Sequence, residues 1–457
     1  MQKRTHEVDM VNGPIFSKLV VFAIPVMLSG FLQLLFNAAD VIVVGRFAGD
    51  NALAAVGSTS SLVNLLVNLF LGLSVGTNVL VAHFAGGGEK EQVERTVHTA
   101  IMTALVSGII LIFVGLLFTR PMLVIMGSPK EVLPLSAIYL KIYFAGMPAM
   151  MVYNFGSAIL RAVGDTKRPM YYLIMAGVLN VCLNLFFVIV LGLNVKGVAL
   201  ATTISQVLSA GLVVYTLVRE DGMCHLELKK LRIYPDKLRQ LIRIGLPAGM
   251  QGIVFSISNV LIQSSINSFG SVAMAGSTAA ASVEGFVYVS MNAMHQTAIS
   301  FISQHYGAGK WDRIKVIAKE CIGMVTVIGL VMGIGVNIGA QQLLHFFSSK
   351  ESVVQYGAER LLYIAAPYCM CGWMDTLVGV IRGLGYSVMP TIVSLIGACG
   401  FRVLWIYTIF QFIHTLPCLY ISYPVSWLLT ASAHMICLVL IVHKLHPQKA
   451  VETGGKK

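Results

Sequence analysis

"LVVFAIPVMLSGFLQLLFNAADVIVVG", residues 19 to 45, carries one charge, Asp40, in 27 positions. About 20 apolar residues of helix cross the hydrocarbon core of a bilayer, so this stretch reads as a membrane span. Eleven further stretches qualify. The set runs 18–45, 53–83, 97–118, 133–158, 169–191, 196–218, 238–266, 272–304, 314–339, 356–381, 389–412 and 418–443. The 457-residue chain as a whole is 56% hydrophobic and 11% charged, with a mean hydropathy of +0.80. A soluble protein carries roughly 25% charged residues. The predicted class is therefore an all-α polytopic membrane protein with 12 transmembrane helices.

The net charge of +12 does not call for a nucleic-acid partner, because the basic residues fall mostly in short loops. With the N-terminus inside, 23 of the 32 Lys and Arg lie in inner segments and 5 in outer ones. That bias predicts a multi-pass plasma-membrane protein with both termini cytoplasmic. The polar lead "MQKRTHEVDMVNGP" runs into a full-length span, so no cleavable signal peptide is expected. The eight cysteines, among them Cys182, Cys321, Cys369, Cys399 and Cys437, show no metal-ligand spacing and read as small buried apolar side chains.

The longest polar connection, residues 219 to 243, divides the chain. It predicts a six-helix lobe over 1–218, a cytoplasmic linker over 219–237 with room for an amphipathic helix, a second six-helix lobe over 238–443, and a cytoplasmic tail over 444–457. The halves resemble each other. "FAIPVMLSG" (22–30) matches "IGLPAGMQG" (244–252), setting Pro25 on Pro247 and Asn37 on Asn259. "AHFAGGG" (82–88) matches "QHYGAGK" (304–310), and "AILRAVGDTKRPM" (158–170) matches "GVIRGLGYSVMPT" (379–391). The spacing holds at 221 to 222 residues. Two pseudo-symmetric six-helix lobes of parallel topology, around a central cleft, describe a carrier that opens to either side.

Few ionisable residues fall deep in spans: Asp40, Glu284, Asp375 and Arg402. Each must face a wet cavity or a partner, because lipid exposure costs several kcal/mol. Asp40 has no cation at helical i+3 or i+4 spacing, whereas Asn37 shares its face. An unpaired carboxylate in that setting takes a proton or recruits a cation. Asn180 and Asn184 lie one turn apart on the fifth span, and Thr202 begins the sixth. They offer neutral oxygens for Na⁺ at Asp40, Asn180 and Asn184, or hydrogen bonds to a protonated Asp40. The position matching Asp40 in the second half is Ile262, so the halves differ chemically. Arg402 is expected to pair with Glu284 or Asp375. Pro25, Pro148, Pro247 and Pro367 lie inside spans as bends or hinges. His83 and His305 end repeat-related spans before Gly-rich turns, and Arg161 and Arg382 anchor span ends.

The order and spacing of Pro25, Asp40, Gly45 and Arg46, the "HFAGGG" and "HYGAGK" turns, and "MDTLVGVIRGLG" (374–385) resemble the multidrug and toxic compound extrusion (MATE) family over nearly the whole chain. The resemblance implies a secondary antiporter exporting amphiphilic organic cations and drugs against H⁺ or Na⁺, with no cofactor. It implies Asp40 as the coupling carboxylate, Pro25 as the bend of the first helix, and Asn180 and Asn184 as polar partners. Some members carry Asp where Asn184 stands. Asp375 matches a carboxylate of the tenth helix in one branch. The Glu of that branch's seventh helix is replaced here by Gln251, Asn259 and Gln263, leaving Glu284 as the substitute. H⁺ is the preferred ion. The expected protein is a monomer in the lipid bilayer acting on small molecules. The alternatives are a lipid or lipid-linked oligosaccharide flippase of the same superfamily and, further off, a membrane-embedded enzyme built on Asp40 and Asp375.

Overall fold

The computed structural model describes residues 7–125, 129–220 and 222–454. Lys3, Arg4, Lys456 and Lys457, counted in the charge bias, lie outside them. Backbone N–H and C=O groups find no water in hydrocarbon, so apolar stretches this long close their bonds within helices. The helices are α1 (Ile15–Phe47), α2 (Asp50–Gly86), α3 (Lys90–Ile125), α4 (Leu133–Ala145), α5 (Met147–Ala162), α6 (Lys167–Leu185), α7 (Asn194–Arg219), α8 (Pro235–Asn267) and α9 (Ser271–Gly307). Then come α10 (Trp311–Ile338), α11 (Ala340–His345), α12 (Glu351–Ile364), α13 (Tyr368–Gly383), α14 (Val388–Ser394), α15 (Phe401–Tyr407), α16 (Ile409–Phe412) and α17 (Leu416–Gly454). A π-turn, Phe186–Val190, extends α6, and another, Leu395–Gly400, joins α14 to α15. No strand occurs among the described residues.

Among the described residues, ten helical spans are long and apolar enough to cross a membrane, and twelve do so when two bent pairs each count as one. Those pairs are α4 with α5, bent by 47°, and α12 with α13, bent by 49°. They occupy the stretches expected at 133–158 and 356–381. Pro148 opens α5 and Pro367 precedes α13, each where a missing N–H ends the preceding helix. Pro25 and Pro247 behave differently, since α1 and α8 run through them as continuous helices. Ser29 Oγ donates to the Pro25 carbonyl at 2.7 Å. α17 continues to Gly454, past the expected end of the last span at 443.

The repeat appears in the backbone. Glycines with positive φ recur 221 residues apart, at Gly49 and Gly270, Gly88 and Gly309, and Gly164 and Gly385. The turns that end α2 and α9, and those that end α5 and α13, thus share one left-handed conformation that favours glycine. At Gly164 the space is also closed, because a Cβ would overlap the Val8 carbonyl oxygen. Val8 N donates to Gly164 O at 3.1 Å.

The chain forms two compact units, one of Met1–Ile253 with Ser303–Lys310 and one of Val254–Ile302 with Trp311–Lys457. In the first, "GLSVG" (72–76) on α2 crosses "GLPAG" (245–249) on α8. A Cβ at Gly72 would overlap the Gly249 backbone, and one at Gly76 would fall 2.7 Å from Leu241 O. Two small-xxx-small motifs thus bring backbones into direct contact. The helix ends repeat the device, since Gly86 meets the Gln304 backbone and Gly307 meets that of His83. An N-terminal strap closes the same unit. Lys310 Nζ donates to Asn12 Oδ1 at 2.7 Å and to Val11 O at 3.3 Å.

Among the described residues the middle connection holds no amphipathic helix of its own before α8 begins at Pro235, only a three-residue 3₁₀ turn at Leu228–Lys230. It is fixed to the start of α3 instead. His98 Nδ1–H donates to Glu94 O at 2.8 Å, which leaves Nε2 to accept the Glu227 N–H at 3.3 Å. Tyr234 N donates to Thr99 Oγ1 at 3.1 Å, and Leu226 is fully buried. At the start of α6, Arg168 pairs with Asp165 and, at 2.9 Å, with Glu220.

In the second unit Glu284 does not pair with Arg402. Its carboxylate takes a bidentate pair from Arg360 on α12, Nε–H at 2.8 Å and Nη2–H at 2.9 Å. Arg360 Nη1–H also donates to Ser277 Oγ at 2.6 Å. Both members are buried, and the fork geometry of guanidinium matches a carboxylate. None of the eight cysteines forms a disulfide. Cys182 and Cys437 differ from the expectation, the first exposed and the second half-buried on outward faces of α6 and α17.

Gly72→Ala and Gly249→Ala are each expected to lower thermal stability in detergent, by about 1–3 kcal/mol of overpacking. Gly211→Ala, with open space around its Cβ, is the unaffected control. Glu284→Gln leaves Arg360 a buried unpaired cation and is expected to cost about 3–5 kcal/mol. The Glu284→Leu/Arg360→Leu double variant should recover most of that loss in the same melting assay.

Candidate functional site

Asp40 lies in the second half of α1, on the side that packs against α6. The helices approach closely one turn earlier. Gly177 on α6 has no side chain, and a Cβ there would overlap the Phe36 ring. That recess lets the next turn of α6 bring polar groups to the carboxylate. Asn184 Nδ2–H donates to Asp40 Oδ1, and also to Asn180 Oδ1 at 3.1 Å. Asn180 Nδ2–H donates to Thr202 Oγ1 on α7 at 3.4 Å. The Thr202 hydroxyl bonds its own helix at Val198 O (3.0 Å) and is also within reach of the Asp40 carboxyl. The four side chains form a loop of polar contacts in an apolar wall.

Asn184 is fully buried and Asn180 nearly so, while Asp40 and Thr202 are half-buried. Every partner of the carboxylate is neutral. Among the described residues no Lys, Arg or His forms an ion pair with Asp40. Asn184 Oδ1 is buried and accepts no hydrogen bond from the described residues. A buried acceptor without a donor costs about 1–3 kcal/mol, so this oxygen keeps unused accepting capacity beside the carboxylate. Asn37 stands apart, exposed on α1 with no bond to the group.

Three features of this region were not read from the sequence. Tyr139 and Tyr143 on α4 stack at 5.8 Å and lie near enough to Asp40 to feel its charge. Their four-residue spacing in "AIYLKIYFAG" was the available signal. The π-turn Phe186–Val190 begins two residues after Asn184, and it has no compositional mark. π-turns are rare and frequent at functional sites.

The second-half charges do not assemble as expected. Asp375, half-buried on α13, carries the main-chain oxygen that accepts His295 Nδ1–H at 2.6 Å. The cation whose charge reaches its carboxylate is Arg382, two turns along the same helix. Arg402 pairs with neither Asp375 nor Glu284. Its Nε–H donates to Ser426 Oγ at 2.8 Å, and its guanidinium carbon sits 4.2 Å from the Tyr423 ring centre and 5.6 Å from that of Trp427. Two aromatic faces stabilise a desolvated cation by their quadrupoles, so a carboxylate is not required. Glu284, held by Arg360, is likewise no free substitute for the missing acid of α8. His83 packs against Tyr306 at 5.1 Å, an aromatic contact between helix ends. No group of three His, Cys, Asp or Glu among the described residues could hold a metal ion.

Comparison with known proteins bears on this arrangement. The MatE family model matches residues 25–186 and again 247–408. The two copies begin at Pro25 and Pro247, the residues superposed by the repeat. The probable multidrug resistance protein YoeA of Bacillus subtilis is 30% identical over 399 residues, 85% of this chain and 86% of that one. The FAD transporter of Shewanella oneidensis is 23% identical over 367 residues, 79% of this chain and 80% of that one. A solved multidrug resistance MATE family transporter of the MOP superfamily, in an outward-facing conformation, superposes with a TM-score of 0.90. It shares 23% identity and covers 97% of this chain and 99% of that one, which speaks to fold alone. With two copies of the family model across most of its length and a relative at 30% identity, this chain belongs to the MatE family of multi-pass membrane transporters, secondary carriers and not enzymes.

Proposed function

We propose that this chain exports amphiphilic organic cations, drugs among them, by antiport against an ion bound at Asp40. The observation that carries the proposal is the company Asp40 keeps: two amides and a hydroxyl, all neutral, on helices built for hydrocarbon. A fixed cation would hold the carboxylate in one state. Neutral partners serve both states. The ionised form accepts the Asn184 Nδ2–H as it does here. The protonated form donates, and rotation of the Asn184 amide presents its unused Oδ1 to that proton. H⁺ is the first reading on this ground. Na⁺ is the second, because Asp40, Asn180, Asn184 and Thr202 converge oxygens suited to a hard cation.

Ion and cargo then compete through charge. A vacant carboxylate attracts an organic cation into a low-dielectric crevice, and a neutralised one releases it. The 23-to-5 bias of Lys and Arg supports cytoplasmic termini in a plasma-membrane protein. Both repeats lie in one chain, which supports a monomer as the working unit. The FAD transporter among its relatives and the unpartnered Nη2 of buried Arg402 favour a second cargo reading, an anion handled by the second half.

In everted membrane vesicles, wild-type protein is expected to drive uptake of a fluorescent organic cation under an imposed gradient. Asp40→Asn should abolish it, and undiminished transport by that variant removes Asp40 from the mechanism. Imposing H⁺ and Na⁺ gradients separately identifies the ion. Asn184→Ala, which removes a charge-assisted bond worth about 1.5–3 kcal/mol, is expected to slow uptake by about tenfold or more. Competition by an anionic cofactor but not by organic cations would favour the second cargo.

A further inference from the structure

A second set of unspent polar groups lies far along the chain from Asp40, where α12 meets the end of α10 and the start of α11. α12 has two faces. Val353, Val354, Gly357, Arg360, Leu361 and Ile364 are buried. Ser352, Gln355, Tyr356, Glu359 and Tyr363, at helical spacing, line a groove of about 950 Å³. Asn337 and Gln341 close it from the other side. That volume suits a small organic ligand, for which pockets run to about 300–1,000 Å³.

The lining carries one carboxylate, Glu359, and no basic side chain. Among the described residues, the side chains of Gln341, Gln355, Tyr356, Glu359 and Tyr363 make no hydrogen bond or ion pair. Hydrocarbon cannot cover such a stripe, so its groups face water or a polar ligand. Neighbouring Arg360 cannot neutralise Glu359, because its guanidinium is spent on Glu284 and Ser277 across the helix. A lone carboxylate is too little charge for a divalent metal. Two tyrosine rings beside a carboxylate match an organic cation, which aromatic faces attract without demanding a hydrogen-bond donor. Ile338 and Leu362 on the rim suit the apolar part of an amphiphile.

We propose that this groove is a second binding site for an amphiphilic organic cation, with Glu359 as its counter-ion and Tyr356 and Tyr363 as its aromatic walls. The ligand class rests on the export reading above, but the site is tested by binding, without a gradient. Equilibrium dialysis of radiolabelled tetraphenylphosphonium with the full-length protein in detergent should resolve two classes of site. Glu359→Gln is expected to weaken one class by tenfold or more, Glu359→Asp to retain it, and Tyr363→Ala to weaken it several-fold. Should Glu359→Gln fail to yield folded protein, Tyr356→Ala and Tyr363→Ala read the same class. A Glu359→Gln curve superimposable on that of wild type overturns the proposal. So does displacement of the Glu359-dependent class by stoichiometric phosphatidylethanolamine, which assigns the groove to an aminolipid headgroup. Asp40→Asn separates the two claims. If it changes neither binding nor transport while Glu359→Gln loses a site, the assignment of ion coupling to Asp40 fails and the groove stands.

Discussion

A carboxylate set among hydrocarbon-loving residues needs partners, and their charge determines what it can do. Asp40 has Asn184, Asn180 and Thr202, which stabilise either protonation state by turning an amide or a hydroxyl. Glu284 has Arg360, which stabilises only one. The two acids show the two solutions to one physical problem. The first sets only neutral groups against the carboxylate; the second fixes α9 to α12 beside the 49° bend that separates α12 from α13. On α9, His295 adds a second attachment beyond that bend by bonding the Asp375 carbonyl.

Close packing sets where these groups can meet. Without a hydrophobic force between helices in lipid, contact comes from backbones approaching through glycine. Gly177 admits Phe36 and thereby sets α1 near enough to α6 for the Asp40–Asn184 bond. Gly72, Gly76, Gly245 and Gly249 do the same for α2 and α8, within a unit that also holds the turn ending α9. Such contacts have little room to deform, so a helix pair joined this way moves as a body or separates. That property suits a carrier that exchanges one packing for another.

Much of this was legible in the residues. The apolar lengths set the spans, and the recurrence of Pro25 at Pro247 and of Gly164 at Gly385 announced the duplication before any backbone was seen. Asp40 with Asn180 and Asn184 was legible because a carboxylate and paired amides stand out in greasy helices. The partner of Glu284 was not. Arg360 falls within the span expected at 356–381, near its end, and so is not among the charges expected deep in spans. Nothing local shows that α12 turns it inward. A buried cation in hydrocarbon leads one to expect an acid beside Arg402, but Tyr423 and Trp427 supply the stabilisation from a helix more than 20 positions on. The π-turns and the middle connection's attachment to His98 and Thr99 depend on tertiary contacts with no periodic signature.

The central claim is that one exchangeable ion on Asp40 is traded against a cationic cargo. Ion release on adding tetraphenylphosphonium to purified protein, in weakly buffered detergent with and without Na⁺, tests it most directly. The account predicts release of H⁺, or of Na⁺ if that is the bound ion, from wild type and none from Asp40→Asn. Equal release from both proteins, or cargo binding with no ion released from wild type, would contradict it.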